Sequence, residues 1–261
     1  LSEEFQRKQR FFFNFYLDKL YSFDDKKLSP DQLLSKKLLI RELELDLRGL
    51  NFKKNLMPID QMWTLQLDIG QLASGIGAQP FNSFKDYQNW LVRLDGYLKW
   101  MASAEQKMRE GMQSGYVLPK SLIVKVLPQL KPMTEEDVHS HLFFSPVKNF
   151  PEHFSEAEKL KLTSAYTEMI SEQIIPAYKK LYNFMETEYM EAGRESSGYI
   201  AFPDGVEYYK YAIEVYTTTK MSSEEIHDLG LKEVARIRSE MEMVMKEVGF
   251  NGSLKDFFKF V

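Results

Sequence analysis

Apolar residues recur at intervals of three and four positions along most of the chain, which is the spacing of one face of an α-helix. The clearest run starts at Phe84 and continues to Met101. Polar residues such as Arg93 fall between the apolar positions, and Asn82 or Ser83 precedes the run as a suitable N-cap. The pattern therefore predicts a long amphipathic helix that begins at about residue 84.

The same spacing, with capping residues at its ends, predicts helices over most of the remaining chain. Their expected ranges are Phe5–Tyr21, Pro30–Gly49, Pro119–Leu130, Ser155 to about Ala192, a helix beginning near Asp204, one from Ser222 or Ser223 to Gly249, and a short one within Leu254–Val261. Pro176 is expected to kink the long helix, because proline cannot donate a helical hydrogen bond. The best strand candidate is Ser197–Phe202, "SGYIAF". We predict a mainly α fold, an array of long amphipathic helices with at most a small β element.

The helix that follows Ser222 has a continuous apolar stripe. Its members are Ile226, Gly230, Val234, Ile237, Met241, Val244 and Val248. The stripe marks the apolar side of this amphipathic helix.

The domain organisation predicted over residues 1–261 is one mainly helical domain or half-domain. A loop-rich connector is expected at about residues 128–155, where prolines are frequent. The final segment, "LKDFFKFV", would form a marginal helix that ends on hydrophobic residues. We therefore expect Val261 not to be the natural C-terminus, and the initial Leu1 indicates that the chain has been processed or cut.

Charge and composition exclude several classes of protein. The formal net charge of −4 and the isoelectric point near 5.7 argue against a nucleic-acid-binding surface. No apolar run approaches the roughly 20 residues that a membrane-spanning helix needs. The absence of cysteine excludes disulfides, thiolate nucleophiles and cysteine-bound zinc, and it fits an exported or a cytoplasmic location.

A glutamate three residues before a histidine occurs twice, as Glu224 with His227 and Glu136 with His139. On the facing helices of a bundle, two such pairs and two further glutamates would form a di-iron centre. Both pairs, however, lie where a helix is expected to begin. Ser222 and Glu225 match a capping box, and acidic residues are favoured in a first turn. Two solvated helix starts therefore explain these carboxylates without iron.

The sequence contains no complete catalytic constellation of a known hydrolase. Zinc peptidases need two histidines at four-residue spacing with a glutamate beside the first, and no such pair occurs among the four histidines. His139 and His141 are two residues apart and would face different directions on a helix. There is also no Gly-x-Ser-x-Gly element to mark a serine nucleophile.

The order of four segments resembles a bacterial family, the domain-of-unknown-function family 885, whose members are described as lipoproteins or zinc carboxypeptidases. The segments are "FNSFKDYQNWLVRL" (Phe81–Leu94), "MREGMQSGYVLP" (Met108–Pro119), "GYIAFPDGVEYYKYAIEVYTTT" (Gly198–Thr219) and "SSEEIHDLGLKEVARIRSEM" (Ser222–Met241). The resemblance covers most of the chain from about Phe11. The His-Glu-x-x-Pro-Gly-His-His element of that family is not present in this chain.

The resemblance implies that this chain is the N-terminal portion of a zincin-like cleft fold and is inactive alone. Zinc is implied for the intact protein, where it would activate a water, but no metal ligand or cofactor is expected in this chain. The implied partners are a missing C-terminal catalytic half and a peptide substrate. This interpretation predicts an exposed apolar patch near the C-terminus, where the missing half would pack. The implied location is periplasmic or membrane-anchored, with a lipid anchor upstream of Leu1, and a cytoplasmic location is the alternative.

In a cleft enzyme one wall binds substrate while the other carries the metal, and tyrosines suit the gripping of a peptide. The candidate substrate-binding residues are Tyr199, Tyr208, Tyr209, Thr217 and Thr218. The alternative interpretation is that the Tyr208–Tyr209 pair packs in the core and that the threonines end a helix. The alternative for the whole chain is a self-sufficient helical binding or scaffold module without catalytic activity.

Overall fold

The computed structural model describes residues 2–75 and 77–261, and these residues form ten α-helices. The chain divides into two compact units, one ending at Pro203 and one from Asp204 to Val261. Within the described residues, β structure is limited to an isolated bridge between Pro119 and Arg194. The predicted mainly α fold is therefore confirmed. No helix of this described part is both long and apolar enough to cross a bilayer.

The first unit contains seven of the helices. They are α1 (Glu3–Ser22), α2 (Pro30–Gly49), α3 (Leu65–Ala73), α4 (Phe84–Ser114), α5 (Lys120–Leu130), α6 (Ser145–Lys148) and α7 (156–192). Short 3₁₀ turns occur at Asp25–Lys27, Lys54–Leu56, Lys131–Thr134, Leu142–Phe144 and Tyr199–Ala201. The α1 and α2 helices pack against each other as a hairpin, and α4 packs along α7.

Capping boxes fix where three of these helices begin. Ser83, rather than Asn82, caps α4: its side chain accepts from the Asp86 backbone N–H, and the Asp86 carboxylate accepts from the Ser83 N–H. The same reciprocal pair forms at Ser155 before α7 and at Ser29 before α2. Each pair satisfies N–H groups that have no partner inside the helix.

The α7 helix is continuous but changes its hydrogen bonding twice. Its α-helical parts are Glu156–Met169, Ile175–Phe184 and Met190–Ala192, and they are joined by π-helical Ile170–Ile174 and Met185–Tyr189. The first π-helical turn lies immediately before Ile175 and Pro176. Proline lacks the N–H that an α-helical ladder requires at its position, so the irregular turn falls where the sequence predicts an interruption.

Buried tyrosines join α4 to α7. The hydroxyl of Tyr97 on α4 lies 2.8 Å from the hydroxyl of Tyr178 on α7, and both side chains are almost fully buried. Further along the same interface, the Tyr166 hydroxyl of α7 donates to the Tyr87 carbonyl of α4 at 3.2 Å. Because a buried hydroxyl without a partner is costly, these bonds set how the two helices lie against each other.

The connector after α4 is held by the other end of α7. The Leu118 N–H donates to the Tyr189 hydroxyl at 3.0 Å. Burial of the Tyr189 side chain raises its pKa to about 12, although the bond from Leu118 acts in the opposite direction. Arg194 continues the contact, since its N–H donates to the Leu118 carbonyl and its Nε donates to the Val117 carbonyl. Hydrogen bonds to the backbone of the connector, and not side-chain packing alone, therefore fix its position.

The predicted strand at Ser197–Phe202 is wrong. Tyr199–Ala201 forms a 3₁₀ turn, and Arg194 donates to the carbonyls of Ser196 and Gly198. Its guanidinium also lies 4.1 Å from the centre of the Phe202 ring. The backbone of this segment therefore turns instead of extending, and the Arg194 side chain holds its Gly198 carbonyl.

The second unit contains α8 (Gly205–Thr217), α9 (Ser223–Glu247) and α10 (Leu254–Phe260). The capping box predicted between Ser222 and Glu225 forms at the start of α9. Asp204 precedes α8 but makes no side-chain capping bond. The turn between α9 and α10 brings the Phe250 and Phe257 rings to 5.3 Å.

Two glycines of α4 provide a test of its packing. A Cβ added at Gly111 would lie 2.5 Å from the Tyr116 carbonyl oxygen and 2.9 Å from that of Leu56, whereas a Cβ at Gly96 would meet nothing within 4 Å. We expect Gly111→Ala to lower the free energy of unfolding by about 1–3 kcal/mol through overpacking. Gly96→Ala is the matched control and should raise it by up to about 1 kcal/mol through helix propensity. Urea unfolding of both variants measures this, and equal effects would contradict the close backbone approach.

Candidate functional site

The candidate substrate-binding residues fall in both units. Tyr199 belongs to the first unit, whereas Tyr208, Tyr209, Thr217 and Thr218 belong to the second. Within the second unit the tyrosines lie near the start of α8 and the threonines at its end. Because each helical residue adds about 1.5 Å, the two pairs are separated by roughly 13 Å along the helix. The four residues therefore do not form one cluster.

The tyrosines of α8 are partly accessible. Tyr208 is half-buried and lies with its ring 6.3 Å from that of Tyr211, whereas Tyr209 is exposed. Tyr199 is also exposed and its ring lies 5.7 Å from that of Phe202. Each exposed ring offers a flat apolar surface and a hydroxyl that can bond to a peptide.

The threonines form the end of α8. Thr217 donates its hydroxyl to the Ile213 carbonyl at 2.7 Å and lies 2.9 Å from the Thr219 hydroxyl. Thr218 has a φ of 58°, the left-handed conformation that terminates a helix, and its N–H bonds to the Glu214 carbonyl. The Thr217 hydroxyl already has a local partner, so a ligand would have to compete with the helix end for it.

The predicted helix start at Glu136 and His139 is wrong. Residues 135–141 form turns: the Asp137 carboxylate accepts from the His139 N–H, and Glu136 pairs with Lys179 of α7 at 2.5 Å. The Lys179 ammonium holds the pKa of the exposed Glu136 carboxyl below its ordinary value. This carboxylate therefore takes part in a surface ion pair and not in helix capping.

His141 is the one histidine of the described chain that is buried. Its Nε2 lies 3.2 Å from the Met133 carbonyl and its Nδ1 accepts from the Phe143 N–H at 3.3 Å. These two bonds require the neutral tautomer with a proton on Nε2. Burial lowers the pKa of His141, and the bond to Met133 opposes that shift only in part. Both ring nitrogens are thus occupied by backbone groups.

The residues present do not fit a zinc or di-iron centre. No group of three or more histidine, aspartate or glutamate side chains within residues 2–75 and 77–261 is placed to hold a metal ion. His139, His153 and His227 are exposed, and the nitrogens of His141 already have backbone partners. No catalytic step through a metal can be assigned to these side chains.

A shallow groove of about 330 Å³ lies between α3 and the end of α5. Its lining includes Gln66, Gln129, Leu142 and Tyr178. The Tyr178 hydroxyl is bonded to Tyr97, and burial raises its pKa to about 12. The groove can accommodate a small apolar group, but these lining residues supply neither a general base nor a nucleophile.

The apolar stripe of α9 is largely exposed. Val234 is 65% exposed, Val244 46% and Val248 58%. Ion pairs border the stripe, from Arg236 to Glu233 and Glu240 on one side and from Arg238 to Glu242 on the other. A row of exposed aliphatic side chains between ion pairs is typical of a surface that binds another polypeptide.

Comparison with known proteins places the chain in a family. The family model described as "Bacterial protein of unknown function (DUF885)" matches residues 1–261, and the chain belongs to this family. The fold is similar to that of the putative lipoprotein from Colwellia psychrerythraea, with a TM-score of 0.82 and 20% sequence identity. That match covers 98% of this chain and 45% of the other, so this chain spans less than half the length of that protein. No curated protein matches the chain.

Two features were not predicted from the sequence: the burial of His141 and the groove beside α3. The periodicity of α9 identified the stripe but could not tell which surface covers it. The apolar residues Phe143 and Phe144 follow His141 directly, and they are the signal that could have indicated its burial.

The burial of His141 predicts a pH dependence of stability. The pKa of His141 is lower in the folded chain than the ordinary 6.5, so the unfolded chain binds the proton more readily. The stabilisation is therefore complete above pH 6.5 and is lost as the pH falls below it towards the folded pKa. Urea midpoints at about pH 7.5 and about pH 5.5 should differ more for the parent chain than for His141→Gln.

His139→Gln is the control for this experiment, because His139 is exposed two residues away. It should keep the pH dependence of the parent. If His141→Gln loses as much stability on acidification as the parent does, His141 is not the group responsible.

Proposed function

We propose that this chain is the N-terminal, non-metal-binding portion of a zinc-dependent peptidase with carboxypeptidase-like activity. The observation that carries the proposal is the exposed stripe of α9, which lies in one of the four family-like segments. Membership of DUF885 and the length of the similar lipoprotein, more than twice that of this chain, support it.

The side chains of this portion suit binding rather than bond cleavage. Its buried tyrosines are neutral, its buried histidine is bonded at both nitrogens, and its exposed acids such as Glu136 and Glu188 pair with cations. Peptide hydrolysis needs an activated water and a general base, which these groups do not provide. In the proposal those elements belong to the C-terminal catalytic half.

The partner of the α9 stripe is that C-terminal half. Aliphatic side chains such as Val234 and Ile237 gain about 25 cal/mol for each Å² removed from water, which favours packing against a second apolar surface. Tyr199, Tyr208, Tyr209, Thr217 and Thr218 are proposed to contact the peptide substrate. Tyr199 and Tyr209 offer exposed rings for that contact.

The proposed location is periplasmic or membrane-anchored, with a lipid anchor before Leu1. The support is that the similar structure from Colwellia psychrerythraea is described as a putative lipoprotein. A cysteine-free chain is compatible with export, because no thiol is present to be oxidised.

Zinc content and peptidase activity of two proteins test the proposal. The 261-residue chain should contain no stoichiometric zinc and cleave no peptide, whereas the full-length gene product should bind about one zinc per chain and release C-terminal residues from peptides. Metal content by mass spectrometry and activity with and without a chelator measure this. Stoichiometric zinc and activity in the short chain, or a full-length product without either, would overturn the proposal.

A further inference from the structure

The outward side of α1 is covered by aromatic rings. We define the aromatic face as Phe5, Phe11, Phe12, Phe15 and Tyr16, all of which are exposed. Helical geometry places these residues on one side of α1 and Leu17 on the opposite side. Leu17 is buried, and α1 packs along α2. The aromatic face is therefore not the surface that holds the hairpin together.

The rings of this face contact one another rather than the protein core. The ring centres of Phe11 and Phe15 are 6.3 Å apart, and those of Phe12 and Tyr16 are 4.7 Å apart. The ammonium of Lys19 lies 4.6 Å from the centre of the Phe15 ring. Phe11 nevertheless remains 74% exposed, so the cluster leaves much apolar surface in water.

The charge of α1 differs in sign from that of the chain. The helix carries the basic residues Arg7, Lys8, Arg10 and Lys19 and the acidic residues Glu3, Glu4 and Asp18, so its four positive and three negative charges leave one net positive charge. The whole chain has a formal net charge of −4. Lys8 and Lys19 lie among the rings. Lys8 pairs with the Glu4 carboxylate at 2.6 Å, whereas the long side chain of Lys19 can extend its ammonium group towards anionic headgroups.

We infer that the aromatic face of α1 docks on the surface of a phospholipid bilayer, with α1 parallel to the membrane plane. Phenylalanine and tyrosine rings interleaved with lysine are typical of interfacial helices, since each ring enters the headgroup boundary while the ammonium stays in water. The α9 stripe is different: its exposed side chains, such as Val234 and Ile237, are aliphatic and suit helix packing. Two exposed faces of different chemistry indicate two different occupants.

This inference deepens the membrane location proposed above, but the two can fail separately, because vesicle binding is measured without zinc, peptide or a lipid anchor. The complete 261-residue chain is sedimented with large vesicles of phosphatidylcholine and phosphatidylglycerol. We expect Phe11→Ser combined with Phe12→Ser to lower the vesicle partition coefficient at least tenfold. Each ring that leaves water for the bilayer interface supplies a substantial share of the free energy of binding. Circular dichroism should show unchanged folding, since both rings are exposed.

Val234→Ser combined with Ile237→Ser is the matched control, and it should bind the vesicles as well as the parent does. Because the chain contains no cysteine, Lys8→Cys can carry a polarity-sensitive fluorophore, whose emission should shift to the blue with vesicles. The same fluorophore at Gln113→Cys, an exposed position in the last turn of α4, should show no shift in emission. The inference is overturned if the parent fails to sediment, if the phenylalanine variant binds equally, or if the parent forms a dimer that only the phenylalanine variant disrupts.

Discussion

The fold of the first unit depends on burying tyrosine rings between α4 and α7 while giving each hydroxyl a partner. Tyr97 bonds to Tyr178 and Tyr166 bonds to the Tyr87 carbonyl, so two large rings from each helix fill the interface. An unsatisfied buried hydroxyl costs about 1–3 kcal/mol, which disfavours a shift of one helix along the other. Tyr189 extends the constraint to the connector after α4 and so fixes where α5 begins.

Much of the helical architecture can be predicted from local signals. The periodicity after Phe84 and the serine caps at Ser155 and Ser222 define helices because those signals act within one or two turns. At Glu136 the prediction failed because a distant group pairs with the expected capping residue: Lys179 lies 43 residues away in sequence. The strand candidate instead turns locally, and its Gly198 carbonyl bonds to Arg194, four residues before it. The short helix α3 was missed, since its nine residues include Gly70 and carry only a brief pattern.

The candidate site could be predicted less well than the fold. A sequence pattern identifies tyrosines that are able to grip a peptide, but it does not say that Tyr208 and Thr217 lie at opposite ends of α8. It identifies an apolar stripe, but exposure depends on which polypeptide covers it. The described residues include an aliphatic surface on α9 and an aromatic one on α1, which we propose to bind a protein partner and a lipid surface respectively.

The central proposal is that the α9 stripe packs against the C-terminal half of a longer protein. Hydrogen exchange of α9 peptides in the 261-residue chain and in the full-length gene product tests it most directly. The account predicts that α9 amides exchange at least tenfold more slowly in the longer protein, while those of the buried α4 helix exchange equally in both. Equal exchange of α9 in the two proteins would contradict it.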